Sequence, residues 1–312
     1  MLRFTSTRIK PIHHTFDSAV RNFSIHHGRP LNSTTSLHTI STAIDADNTI
    51  QLHQSSMDSR HKPNPAWEPT IPHPGYRLDD IQHVAQSHHE PSQVHDRIVL
   101  YAVKMMRSGF DLISGYRGPG GGMTERDWLN RCVFLETVAG VPGMVAGMAR
   151  HLRSLRSMQR DHGWIQSLLE EAENERMHLL IFVELRQPGW LFRLAVLGAQ
   201  GLFFNAFFLT YLVSPRSCHR FVGYLEEEAV KTYTSLLQDI AEGHLPTWRS
   251  QSAPPIARAY YGLPDNANIA QLIHYVRADE ASHRDVNHTL AGLPDGAMNP
   301  FVTRSVHSRA GC

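Results

Sequence analysis

Four glutamates and two histidines stand in an order that can do chemistry. Glu136 is isolated in an apolar stretch, Glu175 and His178 are three apart, Glu226 opens a triplet with Glu227 and Glu228, and Glu280 and His283 are again three apart. The string reads E…ExxH…E…ExxH. Residues three apart on a helix share a face, so each ExxH aims a carboxylate and an imidazole at one point. Four helices carrying Glu, ExxH, Glu and ExxH supply the six ligands of a ferritin-like dinuclear carboxylate centre. Carboxylates and imidazoles without thiolate suit iron or manganese and leave positions for O2. One ExxH alone is weak, and the acidic run from Glu170 to Glu175 reads equally well as a solvated face. The repeat on a second helix, each copy preceded by a Glu-bearing apolar helix, is what argues against chance. No HExxH zinc helix is present, which counts against a zincin protease.

Individual positions sharpen the pattern. Glu136 follows Cys132, Val133, Phe134 and Leu135 and precedes Thr137, Val138 and Ala139, where a lone carboxylate is costly unless paired or coordinated. Consecutive helical residues fan out by about 100°, so Glu226, Glu227 and Glu228 cannot all face one centre. Tyr233 lies seven after Glu226 and shares its face, as an electron or proton donor or simply as a core tyrosine. Arg107 and Asp111, four apart, can pair across one turn.

Those residues need helices to position them. From Ile98 onward apolar residues recur every three or four positions over 98–114, 127–150, 164–187, 190–212, 217–242 and 268–290. Gly118 to Gly122, Gly163, Pro188-Gly189, Pro215 and Gly243 to Pro255 separate them, and no comparable run alternates with period two. The expectation is an all-α bundle of about six helices. Leu194 to Pro215 carries no charge and is long enough to cross a bilayer. A single crossing would put the ligand candidates on opposite sides, so a helix lying in the interface fits better. The basic run Arg150, Arg153, Arg156 and Arg160 offers contact with anionic lipid; a solvated helix face is the plain alternative.

The totals agree. At 41% hydrophobic and 19% charged, 312 residues can bury a sizeable core, and a formal charge of +1 is no footprint for a nucleic-acid binder. The three cysteines, Cys132, Cys218 and Cys312, form no CxxC pair or disulfide framework. Residues 1–44 hold five basic residues and one acid without an apolar core, the composition of a mitochondrial or plastid transit peptide. Residues 45–97 form a Pro- and His-rich extended arm, 98–290 the helical domain and 291–312 a tail. Of the 21 histidines, twelve lie before residue 96, where they read as compositional, leaving His178 and His283 as the expected ligands.

The longer strings are specific. Asn130-Arg131-Cys132-Val133-Phe134-Leu135-Glu136-Thr137-Val138-Ala139, Leu169 to Leu179 around Glu175 and His178, Leu225-Glu226-Glu227-Glu228-Ala229, and Arg277 to His288 around Glu280 and His283 resemble the alternative oxidases, cyanide-insensitive ubiquinol oxidases of mitochondria. The resemblance covers about 98–290. It implies that Glu136, Glu175, His178, Glu226, Glu280 and His283 hold two irons, that Tyr233 is redox-active, and that Asn174 and Asp279 orient the ligands. It implies a quinol pocket of Arg107, Asp111, Arg131, Cys132, Leu135, Glu228, Ala229 and Thr232. It further implies that ubiquinol and O2 are the substrates, with a homodimer lying on the matrix side of the inner membrane through two apolar helices. Plant members carry a regulatory Cys in the N-terminal arm; none precedes Cys132 here, so disulfide control and keto-acid activation are not expected. Two rival classes remain: another di-iron protein, either a quinone-ring hydroxylase or an iron store, and a non-enzymatic membrane-associated bundle.

Overall fold

The computed structural model describes residues 71–302, where every regular element is a helix apart from an isolated bridge between Ser252 and Asn268. In chain order these are α1 (Leu78–Ile81), α2 (Val94–Ser114), α3 (Glu125–Ser157), α4 (Trp164–Leu185), α5 (Trp190–Val213), α6 (Pro215–Glu242), α7 (Pro255–Tyr261) and α8 (Ile269–Gly292). The presequence expected over 1–44, much of the arm and residues 303–312 of the tail lie outside the described residues.

The ends of the main helices follow from local chemistry. The Thr124 hydroxyl accepts from the Asp127 N–H while the Asp127 carboxylate accepts from the Thr124 N–H, a reciprocal cap that starts α3. Asn268 and Gln271 do the same for α8. Pro215, expected to separate two helices, instead opens α6: its missing N–H costs nothing at the first helical position, and Ser214 caps it. The short α7 falls beyond the expected breaker, because seven residues are too few to show a helical period.

Packing then builds the frame. α3 lies on α4 and α6 on α8, and contacts between α3 and α6 and between α4 and α8 join the two pairs into a four-helix core. The α3–α4 approach is so close that a Cβ on Gly143 would fall 2.6 Å from the Leu168 carbonyl oxygen. Trp128, Met177, Ile181, Phe182, Leu236, Leu272 and Val276 are almost wholly buried within this core.

α2 packs on α6, and α5 on α3 and α6, outside that core. Both leave bulky apolar side chains in the open, Ile98, Tyr101, Met105, Leu112 and Ile113 on α2, and Leu191, Leu194, Leu197, Leu202, Leu209 and Leu212 on α5. Patches of this kind mark interaction surfaces rather than ordinary solvent-facing helices. The basic run does not form one lipid-facing row. Arg150 is buried, pairs with Asp161 at 2.7 Å and stacks over Trp164, fastening α3 to the start of α4, while Arg153 meets Asp295 at 3.1 Å. Arg156 and Arg160 remain exposed.

The arm is tied to the bundle by named bonds. Arg277 donates to the carbonyls of Ile81 and Gln82, and Arg284 to that of Ala85. His88 donates to Glu227 at 2.6 Å, and the His89 N–H to the same carboxylate at 2.8 Å. His88 and His89 are therefore more than compositional.

Candidate metal centre

Each core helix delivers part of one buried cluster: α3 brings Glu136, α4 Glu175 and His178, α6 Glu226, and α8 Glu280 and His283. Two four-residue groups can each converge on one point. The first is Glu136, Glu175, His178 and Glu280, the second Glu175, Glu226, Glu280 and His283, with donor atoms within 4.8 Å of one another in each. Glu175 and Glu280 belong to both groups, so two candidate cation positions share two carboxylates. His178 Nδ1 lies 3.4 Å from Glu136 and from Glu280, and His283 Nδ1 lies 2.7 Å from Glu175.

The cluster can hold cations. Glu136 Oε2, both oxygens of Glu175, Glu280 Oε2, His178 Nδ1 and His283 Nδ1 are buried and make no well-directed hydrogen bond, even where, as for His283 and Glu175, the atoms lie 2.7 Å apart, and such groups are costly unless something else satisfies them. Burial, followed by the charges of neighbouring carboxylates, pushes Glu226 well above the usual carboxylate range. Protons and metal ions compete for such a site. The neighbouring Cys132 offers no thiolate, because burial pushes its thiol far up. An oxygen-rich, thiolate-free set with two imidazoles fits two iron or manganese ions.

The residues around the cluster orient it. His178 Nε2 donates to Asp279 Oδ2 at 3.1 Å, which leaves Nδ1 facing the carboxylates. Asn174 and Tyr261 donate to the same oxygen at 3.0 and 2.9 Å, and Asn174 also donates to the Tyr260 hydroxyl. Burial works to raise the Asp279 pKa, yet His178 and His73 hold it well below the usual range. Tyr233 donates its phenolic proton to Glu136 Oε1, and burial and the Glu136 charge push its pKa well up. His73, Tyr260, Tyr261, Glu171 and Asn287 carried no signal that sequence reading recognised; an ExxH-like spacing exists for none of them.

The triplet fans out as helical geometry requires. Glu226 joins the cluster, Glu227 takes His88, His89 and His288, and Glu228 takes Lys231 at 2.7 Å and Arg107 at 3.4 Å. A second polar knot lies between α2, α3 and α6. Arg107 donates to Asp111 at 2.7 Å and to Thr232 at 2.8 Å, while Arg131 reaches Asp111 and Ser114 and stacks on Phe110 and Tyr116. Cys132 is buried beside it, and Leu135 and Ala229 are half-buried. The structure thus brings Arg107, Asp111, Arg131, Glu228 and Thr232 into one connected set of contacts, of which Thr232 directly precedes Tyr233 in sequence.

A third buried string leaves the cluster. Asn287 donates to Glu171 at 2.8 Å, and burial pushes Glu171 up to about 7. His219 Nδ1 donates to Asn287 Oδ1 at 3.0 Å, leaving Nε2 to accept from Tyr211 at 3.3 Å. Burial pushes His219 down to about 4. The unfolded chain then binds the proton first, so His219 contributes full stability above about pH 6.5 and loses it as pH falls towards about 4, on the order of 3 kcal/mol in all. Glu171, pushed up to about 7, contributes with the opposite sign over the same window, so the expected result is a difference: the urea midpoint of His219→Gln should rise relative to the wild type as pH falls from 7 to 5.

The alternative oxidase family model matches residues 76–292. The mitochondrial alternative oxidase of Emericella nidulans is 55% identical over 240 residues, 74% of this chain and 68% of that relative. That of Ajellomyces capsulatus is 54% identical over 75% of this chain and 70% of its own, and that of Venturia inaequalis 53% over 78% and 71%. With a match across all four core helices and relatives above half identity, the chain belongs to the alternative oxidase family.

Proposed function

We propose that the chain is a ubiquinol:O2 oxidoreductase that reduces O2 to water at a non-haem di-iron centre. Glu136, Glu175, His178, Glu226, Glu280 and His283 would hold the two irons. The observation that carries this reading is the pair of buried donor sets sharing Glu175 and Glu280. The iron pair, when bound, supplies the redox chemistry that couples two quinols to one O2.

The chain's own groups do the rest. Asp279 fixes the His178 ring, and Asn174 fixes Asp279. Tyr233 holds its proton against Glu136 Oε1, the position from which a phenol can give up a proton and an electron together. Arg107, Asp111, Arg131, Glu228 and Thr232 supply polar contacts for a quinol head group, with Cys132, Leu135 and Ala229 as the apolar wall. The exposed apolar faces of α2 and α5 support interfacial binding to one leaflet, so quinol enters from the lipid and no proton is carried across. A homodimer on the matrix side of the mitochondrial inner membrane, imported by residues 1–44, completes the reading.

The test measures iron per chain and cyanide-resistant, quinol-dependent O2 uptake for the wild type and Glu136→Ala. The wild type should carry two irons and consume two quinols per O2; Glu136→Ala should lose at least about a hundredfold in uptake, the upper end of what losing a mere supporting partner of a ligand costs. Quinol oxidation by iron-free protein would sink the reading. One hydroxylated ring product per O2 would favour the quinone-ring hydroxylase instead.

A further inference from the structure

Asp279 has two carboxylate oxygens and an unequal set of donors. Asn174, His178 and Tyr261, all from the bundle and α7, crowd onto Oδ2. Oδ1 receives His73 Nε2 at 2.9 Å, from the arm 206 residues away in sequence, with Tyr76 of the same arm also bearing on the carboxylate. The His73 tautomer is set locally: the Gly75 N–H donates to Nδ1 at 3.0 Å, so Nδ1 accepts and Nε2 carries the proton. The ring is 1% exposed and boxed by Tyr76, Tyr260 and Tyr261, with centroids 4.7, 5.3 and 4.7 Å away.

We propose that His73 is a positioning residue of the metal centre: by holding Asp279 Oδ1 it fixes the carboxylate plane, and through Oδ2 the His178 ring whose Nδ1 faces the ligand carboxylates. The inference rests on the di-iron reading above. Its physical basis is that the bundle alone leaves one oxygen of a 3%-exposed carboxylate without a donor. Such a carboxylate rotates or draws in water, and either motion turns the imidazole it orients. A residue of the extended arm thereby completes a site built otherwise from the helices.

The experiment loads the full-length membrane-bound protein with iron and follows iron release to a ferrous chelator after reduction, alongside the melting temperature of the iron-free form. His73→Phe fills the aromatic box without a donor, His73→Gln places an amide N–H near the Nε2 position, and His88→Ala loosens the far end of the arm without touching Asp279. His73→Phe should release iron about 10- to 100-fold faster, with the iron-free melting temperature lowered by a few degrees for the Asp279 oxygen left unpaired. His73→Gln should restore most of the retention, and His88→Ala should match the wild type. Iron release from His73→Phe at the wild-type rate overturns the proposal, as does equal acceleration by His88→Ala, which would assign the effect to arm docking. An iron-free wild type would instead overturn the di-iron reading, and this inference with it.

Discussion

Glu226→Ala is expected to abolish iron-dependent quinol oxidation, whereas Ala at Glu227 or at Glu228, its immediate neighbours, should leave both irons in place. Glu226 belongs to one donor set with Glu175, Glu280 and His283, so its loss opens one cation position. The expected fall in activity is at least about a hundredfold, with iron per chain reduced. Glu227 accepts from His88, His288 and the His89 N–H. Removing it strands those donors, at about 1–3 kcal/mol for a buried unsatisfied group, and should lower the melting temperature by several degrees. Glu228 makes ion pairs with Arg107 and Lys231 at a partly exposed site. Such pairs are worth about 1 kcal/mol or less, so Glu228→Ala should change the quinol KM by a few-fold at most. Iron content, melting temperature and KM separate the three variants. Equal iron loss in all three would mean that the triplet acts as one acidic patch.

The triplet also shows what a sequence can disclose. Helical rotation alone states that three consecutive acids face three directions, but not which one faces inward; resemblance to a family selected Glu226, and the structure brings it into the cluster. Glu136 was legible because a carboxylate in an apolar run demands a partner, and each ExxH because three-residue spacing fixes a face. Asp279's donors were not legible, for physical reasons. His73 lies in a Pro-rich stretch without period, and Tyr260 and Tyr261 sit on a helix of seven residues, so neither local pattern nor spacing links them to a site on α8. Arg150 misled in the opposite way: a basic residue spaced like its neighbours reads as part of a lipid-contacting or solvated face until Asp161 and Trp164, beyond a turn, are seen to enclose it.

Asp111→Ala is expected to be the most destabilising change in the proposed quinol pocket. The Arg131 side chain has no exposure, and its guanidinium lies between the Phe110 and Tyr116 rings, 4.6 and 4.5 Å from their centroids. Burial and the nearby Arg107 pull its pKa down, and Asp111 opposes them. Asp111 is the carboxylate that both arginines reach, whereas Ser114 offers Arg131 a neutral oxygen. Removing Asp111 leaves a buried guanidinium uncompensated, a change that costs about 3–5 kcal/mol and lowers the melting temperature on the order of 10 °C in a domain of this size. The pair itself need not stabilise the fold, because an apolar replacement of both partners avoids the desolvation of either charge. Asp111→Ala combined with Arg131→Met should therefore recover most of the lost stability. Quinol oxidation should stay depressed in the double variant, since the polar contacts proposed for the head group are gone while iron content is unchanged. A double variant as unstable as Asp111→Ala would assign Asp111 a structural role independent of Arg131, and full recovery of KM would remove both residues from the pocket.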